Sequence, residues 1–372
     1  MGDSVKNSTC QGRLEMVEPV NAASGESPRK GPKLWGWHTG LSIVIALAIL
    51  AGLIVAKKID PQEVWRQVIG LNLGFVLLGA LAHYATYPVR GCRWRRCLIH
   101  LPPKAGRAKF GLLVFFYNFV DNVVPAKLGD VYGAHLAGIN CGVPRSAALG
   151  AIVFLRMIDA WIVLALAALA SLALFSAQLP RSIVWSLLGG GIIALAVNTV
   201  LLVVFLLRKS LPHWLPERIQ QIIHGFHTGM WPRSTEILPI VGLTAVIWTL
   251  ETLWIVFLAL GFGVKLRLVQ AVFLTMIPLL ASAFPFTPSG VGVVEMTLVS
   301  CLLVVGVPIP TAISFTFVNR AIDYWLHIGL GLMLWAIRHA IGLRTWREVP
   351  LEEVAAAASC DPALTQEVIH AG

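Results

Sequence analysis

The chain has 372 residues, 57% hydrophobic and only 13% charged, with 29 Lys and Arg against 19 Asp and Glu for a net charge of +10. Soluble domains are about 45–50% apolar and about 25% charged, so paired soluble domains, general disorder, a coiled coil and a disulfide scaffold are excluded for most of its length. What remains is an all-α, polytopic integral membrane helical bundle, in which the basic excess reads as a topology signal and not as a nucleic-acid surface, because the basic cluster hugs a span and lacks a stacking pattern of aromatics.

Residues 1–40 are polar and rich in Gly, Ser and Pro, and read as a disordered cytoplasmic tail. A membrane span needs about 20 mainly apolar residues. The runs 41–56, 73–89, 146–176, 184–207, 237–262 and 311–337 meet this or approach it. The first begins too far into the chain for an ordinary cleaved signal peptide and is expected to stay as an anchor. After the second comes Arg90 to Lys109, with Arg93, Arg95, Arg96, Lys104 and Arg107 and no acidic residue. It reads as a cytoplasmic loop facing anionic lipid. Regions 110–140 and 268–306 are apolar but interrupted by Pro, Gly and charges. The stretches 60–72 and 213–235 are amphipathic, suited to the membrane interface or to packing on other helices. Residues 341–372 form an expected C-terminal cytoplasmic tail, which bounds the membrane domain at 41–340.

The positive-inside rule then assigns sides. Both termini lie inside an integral, multi-pass cell membrane protein, of the bacterial inner-membrane kind. Region 110–140 begins and ends inside, and region 268–306 begins and ends outside. Lys57, Lys58, Lys265 and Arg267 fall outside in this scheme. None of the six cysteines falls in an external loop, which suits reduced thiols.

Two segments repeat. Arg156-Met157-Ile158-Asp159-Ala160-Trp161 and Arg320-Ala321-Ile322-Asp323-Tyr324-Trp325 both read R-x-I-D-x-W. Upstream of them, Pro125-Ala126-Lys127-Leu128-Gly129 and Pro288-Ser289-Gly290-Val291-Gly292 both read P-x-x-[LV]-G, at nearly equal distances. With the sidedness above, the chain divides into two inverted repeats, about 73–176 and 237–337, each holding a re-entrant or broken helical hairpin. Paired broken segments in inverted units point to a transporter's central site.

A charge at a helix centre costs about 2.5–3.5 kcal/mol on insertion scales. Asp121, Lys127, Asp130, Arg156, Asp159, Glu251, Glu295, Arg320 and Asp323 therefore have to pair, face water or lie near the interface. Arg156 can pair with Asp159, and Arg320 with Asp323, three residues along one helix face. Such pairs also serve as self-neutralising bolts between helices. In a wet cavity, the two guanidiniums make bidentate receptors for a phosphate-bearing headgroup. Asn118, Asp121, Asn122, Lys127 and Asp130 surround the first hairpin, and Glu295 follows the second, where it can reach Arg320 or Arg156. Helix N-termini at Gly129 and at Gly290–Gly292 offer free N–H groups to an anion. His83, His135 and His327 read as hydrogen-bonded core histidines. No metal or other cofactor is expected, since no ligand spacing, P-loop or dinucleotide fingerprint is present.

The stretch Asn118–Asp130 and the stretch Pro288–Glu295 resemble the two hairpins of the lysylphosphatidylglycerol synthase transmembrane-domain family, the flippase-like YbhN-type proteins, and the R-x-I-D segments fit as well. The resemblance covers about 40–340. It implies a lipid-handling protein for a phospholipid, hopanoid-type or other lipid-linked substrate, with Pro125, Lys127, Gly129, Asp130, Pro288, Gly290, Gly292, Glu295 and Arg320 as family-type site residues. Two departures are Gly133, near the place soon after the first hairpin's acidic residue where family members often carry Arg, and Ser289-Gly290 in place of a double Gly; either can alter headgroup choice. No soluble aminoacyl-transfer domain is present in this sequence, so lysyl transfer is not expected.

The leading expectation is a transporter or flippase working by alternating access, with Arg156, Arg320 and Lys127 on the phosphate, and Asp130, Glu295, Asp159 and Asp323 orienting the arginines, binding a cationic part or carrying a proton. The alternatives are a membrane transferase using a lipid-phosphate donor, with Asp121, Asp130 or Glu295 as general base, and a non-catalytic partner of lipid-synthesis enzymes.

Overall fold

The computed structural model describes residues 60–101, 103–123, 128–175, 217–282, 290 and 292–344, with some helical positions between 184 and 199. The expected 41–56 span, both tails up to 59 and from 345, and Pro125, Lys127 and Pro288 lie outside the described residues. The described chain is helical: α1 (Pro61–Ile69), α2 (Leu73–Cys97), α3 (Arg107–Val123), α4 (Gly129–Cys141), α5 (Arg145–Phe175), α6 (Glu217–Met230), α7 (Ser234–Gly261), α8 (Leu268–Ala281), α9 (Val293–Val304) and α10 (Ile309–Arg320). A π-helical turn, Ala321–Leu326, joins α10 to α11 (His327–Ala336).

Helices α5 and α7 are long and apolar enough to cross a membrane. At 1.5 Å per residue, the 31 residues of α5 reach about 46 Å, well past a hydrocarbon core of about 30 Å. Helices α4, α8 and α9, with 13, 14 and 12 residues, reach only about 18–21 Å each. The chain thus breaks into short helices in the two regions interrupted by Pro and Gly. Local chemistry sets the first starts. Asp60 accepts from Gln62 N–H with Pro61 following, and Asn72 accepts from Gly74 N–H, so both helices open on a side-chain cap. Helices α1 and α2 meet at a bend of 79°.

Helix α2 corrects the expected basic loop. It runs on through Arg90, Arg93, Arg95 and Arg96 to Cys97. The run is stable because acids from other helices meet these cations: Arg90 pairs with Glu251, Arg93 with Asp159 and Arg96 with Glu236. Only 98–106 connects α2 to α3.

Between lipid-facing helices there is little hydrophobic gain, and small residues that admit close backbone approach do the joining. Gly91 of α2 lies against the backbone of Phe110 and Gly111 of α3, where a Cβ has no room. Gly150 of α5 meets the Phe226 carbonyl of α6, and Gly229 of α6 meets the Ala147 carbonyl of α5. The amphipathic 213–235 stretch is therefore, over Glu217–Met230, a helix packed on the start of α5, while Ile219 and Ile222 stay exposed.

Hydrogen bonds sort the helix ends. At one end, Arg95 Nε donates to Ala105 O, Lys104 N donates to Cys141 O, and Asn140 and Arg344 exchange two bonds. The end of α2, the start of α3 and the end of α4 meet there. At the other end, Asn72 N donates to Gly261 O, and Ser314 Oγ donates to Val64 O. This joins α1, the start of α2, the end of α7 and the start of α10. Helix α8 starts a short turn after α7 ends, and α9 ends a short turn before α10 begins. The α3–α4 pair thus begins and ends at one end of the bundle, and the α8–α9 pair at the opposite end.

Two apolar cores result. One holds Trp94, Phe110, Phe116, Phe119 and Leu136; the other holds Trp254, Leu258, Phe273, Leu298 and Phe315. Helix α5 feeds both, with Ala147–Leu155 in the first and Val163–Ala170 in the second. Arg156 and Asp159 fall between them. On α2, His83 to Arg93 fall between Val76 of one core and Trp94 of the other. A polar belt therefore crosses the middle of the bundle.

Candidate functional site

The belt surrounds a cavity of about 400 Å³, a volume in the range of small-molecule sites. Helix α2 turns His83, Tyr87 and Arg90 to it from one face, at spacings of four and three. Helix α7 does the same with Trp248, Glu251 and Ile255. Helix α5 supplies Arg156 and Asp159, α3 supplies Asn118, α10 supplies Asn319 and Arg320, and the π turn supplies Asp323. Leu274, Thr275, Val294 and Leu298 of α8 and α9 complete an apolar side. A second space of about 20 Å³ adjoins it, sharing Arg90, Asn118, Arg156 and Asp159 and adding Arg93 and Tyr117. It has room for about one water molecule.

Of the residues singled out from sequence, Arg156, Asp159, Asn118, Arg320 and Asp323 line the one cavity. Asp130, Asp121 and Glu295 stand behind the arginines. Arg156 Nη2 lies 2.9 Å from Asp130 and 3.6 Å from Asp121. Arg320 Nε donates to Glu295 Oε1 at 2.7 Å. Asn122 is engaged through its backbone carbonyl, which accepts from Tyr324 Oη at 3.1 Å. Asn118 Nδ2 donates to Val114 O.

Two expectations are corrected. The first is local pairing. Asp159 is held not by Arg156 but by Arg93, whose Nη1 and Nη2 meet its two oxygens at 2.6 and 2.8 Å while Nη1 also donates to Thr244 Oγ1 at 2.9 Å. A planar fork across helices satisfies a carboxylate better than an i,i+3 reach along one helix. Arg320 and Asp323 do approach, at 3.9 Å, but Glu295 is the closer partner. The second is the pair of open helix N-termini. Gly129 N–H donates to Asp121 Oδ1, and Gly292 N–H to Glu295 Oε2, each at 2.7 Å. The chain's own carboxylates occupy the two amides that a ligand anion was expected to use. Gly290 and Gly292 have φ of 66° and 89°, the left-handed region glycine tolerates. At Gly129 a Cβ would collide with the Asp121 carboxylate and the Tyr117 carbonyl.

The two halves of the site share one device. Asp121 caps α4 and approaches Arg156; Glu295 caps α9 and binds Arg320. In each, one carboxylate ties a helix start to the arginine of an R-x-I-D segment.

Sequence reasoning missed His83, Arg90, Arg93 and Glu251 as site residues. Glu251 receives Arg90 at 2.9 Å and His83 Nδ1 at 3.0 Å, and His83 Nε2 lies 3.4 Å from Asp323. For His83, Arg90 and Arg93 the signal is their helical spacing on α2, hidden where the arginines read as loop charges; Glu251 stands alone on α7. His83 and His327 are buried and hydrogen-bonded, His327 to Tyr87 Oη at 3.0 Å. Exposure separates the charges. The side chains of Arg156 and Asp323 are 44% and 38% exposed, against 9% for Arg320 and 4% for Arg93. Among the described residues of the cavity, Arg156 is thus the most open cation and Asp323 the most open anion.

Residues 41–331 match the family profile of the lysylphosphatidylglycerol synthase TM region. The chain is similar to a UPF0104 membrane protein of Methanocaldococcus jannaschii, at 28% identity over 220 residues, 59% of this chain and 94% of the relative. A second UPF0104 membrane protein of that organism is 22% identical over 317 residues, 79% of this chain and 93% of the relative. One from Methanothermobacter thermautotrophicus is 26% identical over 305 residues, 77% of this chain and 90% of the relative.

Proposed function

The chain belongs to the lysylphosphatidylglycerol synthase TM-region family, a family of membrane proteins, and from that premise we propose that it is a transporter or flippase moving a phosphate-bearing lipid headgroup through the central cavity by alternating access. The observation that carries the reading is the convergence of Arg156 and Arg320 on one cavity of about 400 Å³ in the middle of the bundle. A guanidinium there offers a planar fork to phosphate oxygens. Arg156, the more open of the two, takes the phosphate first, and Asp323 accepts any cationic part of the headgroup. Asp121, Asp130 and Glu295 hold the arginines in place between visits. Lys127, which lies outside the described residues, is read from the sequence alone as a third contact of the phosphate.

The two halves are read as inverted repeats with re-entrant hairpins. Support comes from the α3–α4 and α8–α9 pairs, which open toward opposite ends, and from the shared carboxylate–arginine device. Short helices with broken backbone are tolerated at membrane depth when buried in protein or beside water. Rocking one repeat on the other then exposes the cavity to each leaflet in turn. Both termini are placed on the cytoplasmic face of the cell membrane, with anionic lipid and lipid-synthesis enzymes as partners there.

The test is leaflet exchange. The purified chain in vesicles of phosphatidylethanolamine and phosphatidylglycerol is expected to move a fluorescent phosphatidylglycerol between leaflets, faster than protein-free vesicles, and to lose this with Arg156→Ala. Turnover of the lipid without exchange would instead establish the transferase.

A further inference from the structure

We propose that His83 is a proton-binding residue of the cavity, and that its proton and an anionic headgroup each favour the binding of the other. The inference rests on the phosphate-headgroup reading above. His83 is only 5% exposed, yet it borders the cavity. Its Nδ1 lies 3.0 Å from Glu251 Oε2. Its Nε2 meets no described oxygen closer than Asp323 Oδ1, at 3.4 Å. A neutral imidazole has one donor and one acceptor nitrogen. Set between two carboxylates, it would aim a ring lone pair at an oxygen lone pair. Only the imidazolium donates at both ends.

Every element packed on the ring contributes to this balance. Its own helix brings Tyr84, Tyr87 and Arg90; α7 brings Glu251; the π turn brings Asp323, with Arg320 behind it; α11 brings His327, bonded to Tyr87. The ion-pair network of the cavity, as described above, sets six carboxylates against four guanidiniums among the described residues. With His83 neutral, the network therefore carries two excess negative charges, which oppose a phosphate. One proton on His83 halves that excess. Linkage is reciprocal: if the proton favours the anion, the anion favours the proton to the same degree. The ring also stands where α2 meets α7 and the π turn, so its protonation acts directly on the contact between the two proposed repeats.

The test uses the full chain in detergent micelles with dihexanoylphosphatidylglycerol, whose phosphodiester keeps one charge throughout the neutral range. Calorimetry measures its affinity against pH. Histidine-selective nitrogen NMR reads the ring, and His83→Gln identifies the His83 signal. The expected result is a doubly protonated His83 ring at neutral pH, and an affinity that falls by up to about tenfold per pH unit once that proton leaves, the slope of a single linked proton. In His83→Gln this slope is expected to vanish. A neutral ring at neutral pH, or a slope unchanged in the variant, overturns the inference. If the variant fails to fold, a wild-type affinity that ignores pH overturns it by itself. Absence of probe binding at every pH defeats the phosphate reading and the inference together, whereas binding that ignores pH defeats the inference alone.

Discussion

Arg93 and Asp159 clasp each other across α2 and α5 through two parallel bonds of 2.6 and 2.8 Å, both side chains nearly shut off from solvent. Breaking a buried pair from one side strands a charge, at a cost of about 3–5 kcal/mol, while replacing both partners by apolar residues is often close to neutral. Arg93→Ala and Asp159→Ala are each expected to lower the thermal unfolding temperature in detergent. The combined Arg93→Met, Asp159→Leu variant should be more stable than either. If the combined variant is the least stable of the three, the pair is not an isolated clasp.

Arg156 behaves differently because it is open. An exposed ion pair contributes about 0–1 kcal/mol. Arg156→Ala should lower the unfolding temperature less than Arg93→Ala, since Asp130 and Asp121 keep 20% and 14% exposure, and cut lipid exchange by about tenfold or more, equivalent to about 1.4 kcal/mol. Arg156→Lys keeps the charge without the fork and should fall between the two. Exchange measured in vesicles, beside melting of the same preparations, separates these effects.

Glu295 serves two partners at once, the Gly292 amide and the Arg320 guanidinium. Glu295→Gln retains an acceptor for one of them at lower charge, and Glu295→Ala retains none. Loss of stability should therefore follow the order Ala, then Gln, with the Ala variant worse by about 1–3 kcal/mol. Equal melting of the two variants would show that the cap has no effect.

Gly91 tests the close crossing of α2 on α3. Gly91→Val forces a branched side chain into the backbone of Gly111, and overpacking of this kind costs about 1–3 kcal/mol or more. The expected outcome is a lower yield of monodisperse protein on size exclusion. A substitution to Val at Gly242, where a Cβ meets open space, is the matched control.

The long helices were legible in the sequence. The runs 146–176, 237–262 and 311–337 lie within a few residues of Arg145–Phe175, Ser234–Gly261 and Ile309–Ala336. Lipid offers the backbone no partner, so a long apolar run has to bond within itself. The start of α4 at Gly129 and the end of α8 at Ala281 were legible from Pro and Gly. The extension of α2 to Cys97 was not, because its arginines are neutralised by Glu236, Glu251 and Asp159, distant in the chain. The same distance hid the partners of Arg156 and Asp159. Sequence spacing shows neighbours on one helix and is silent about the helix opposite. Glu295 with Arg320 was anticipated only as one of two choices.

The π turn at Ala321–Leu326 winds the chain more loosely than the helices on either side of it. Tyr84 Oη holds one of its carbonyls, that of Ile322. A loosened winding is a store of slack. Tightening it to ordinary pitch turns everything beyond by about 100° for each residue taken up. His327, now stacked 5.0 Å from Tyr87 and tilted 4.2 Å from Phe115, would swing off both rings. Asp323 sits inside the turn itself, so the carboxylate that meets His83 cannot keep its aim while the coil is rewound. The start of α11 and the carboxylate at the cavity are thus joined in the chain through a single irregular turn.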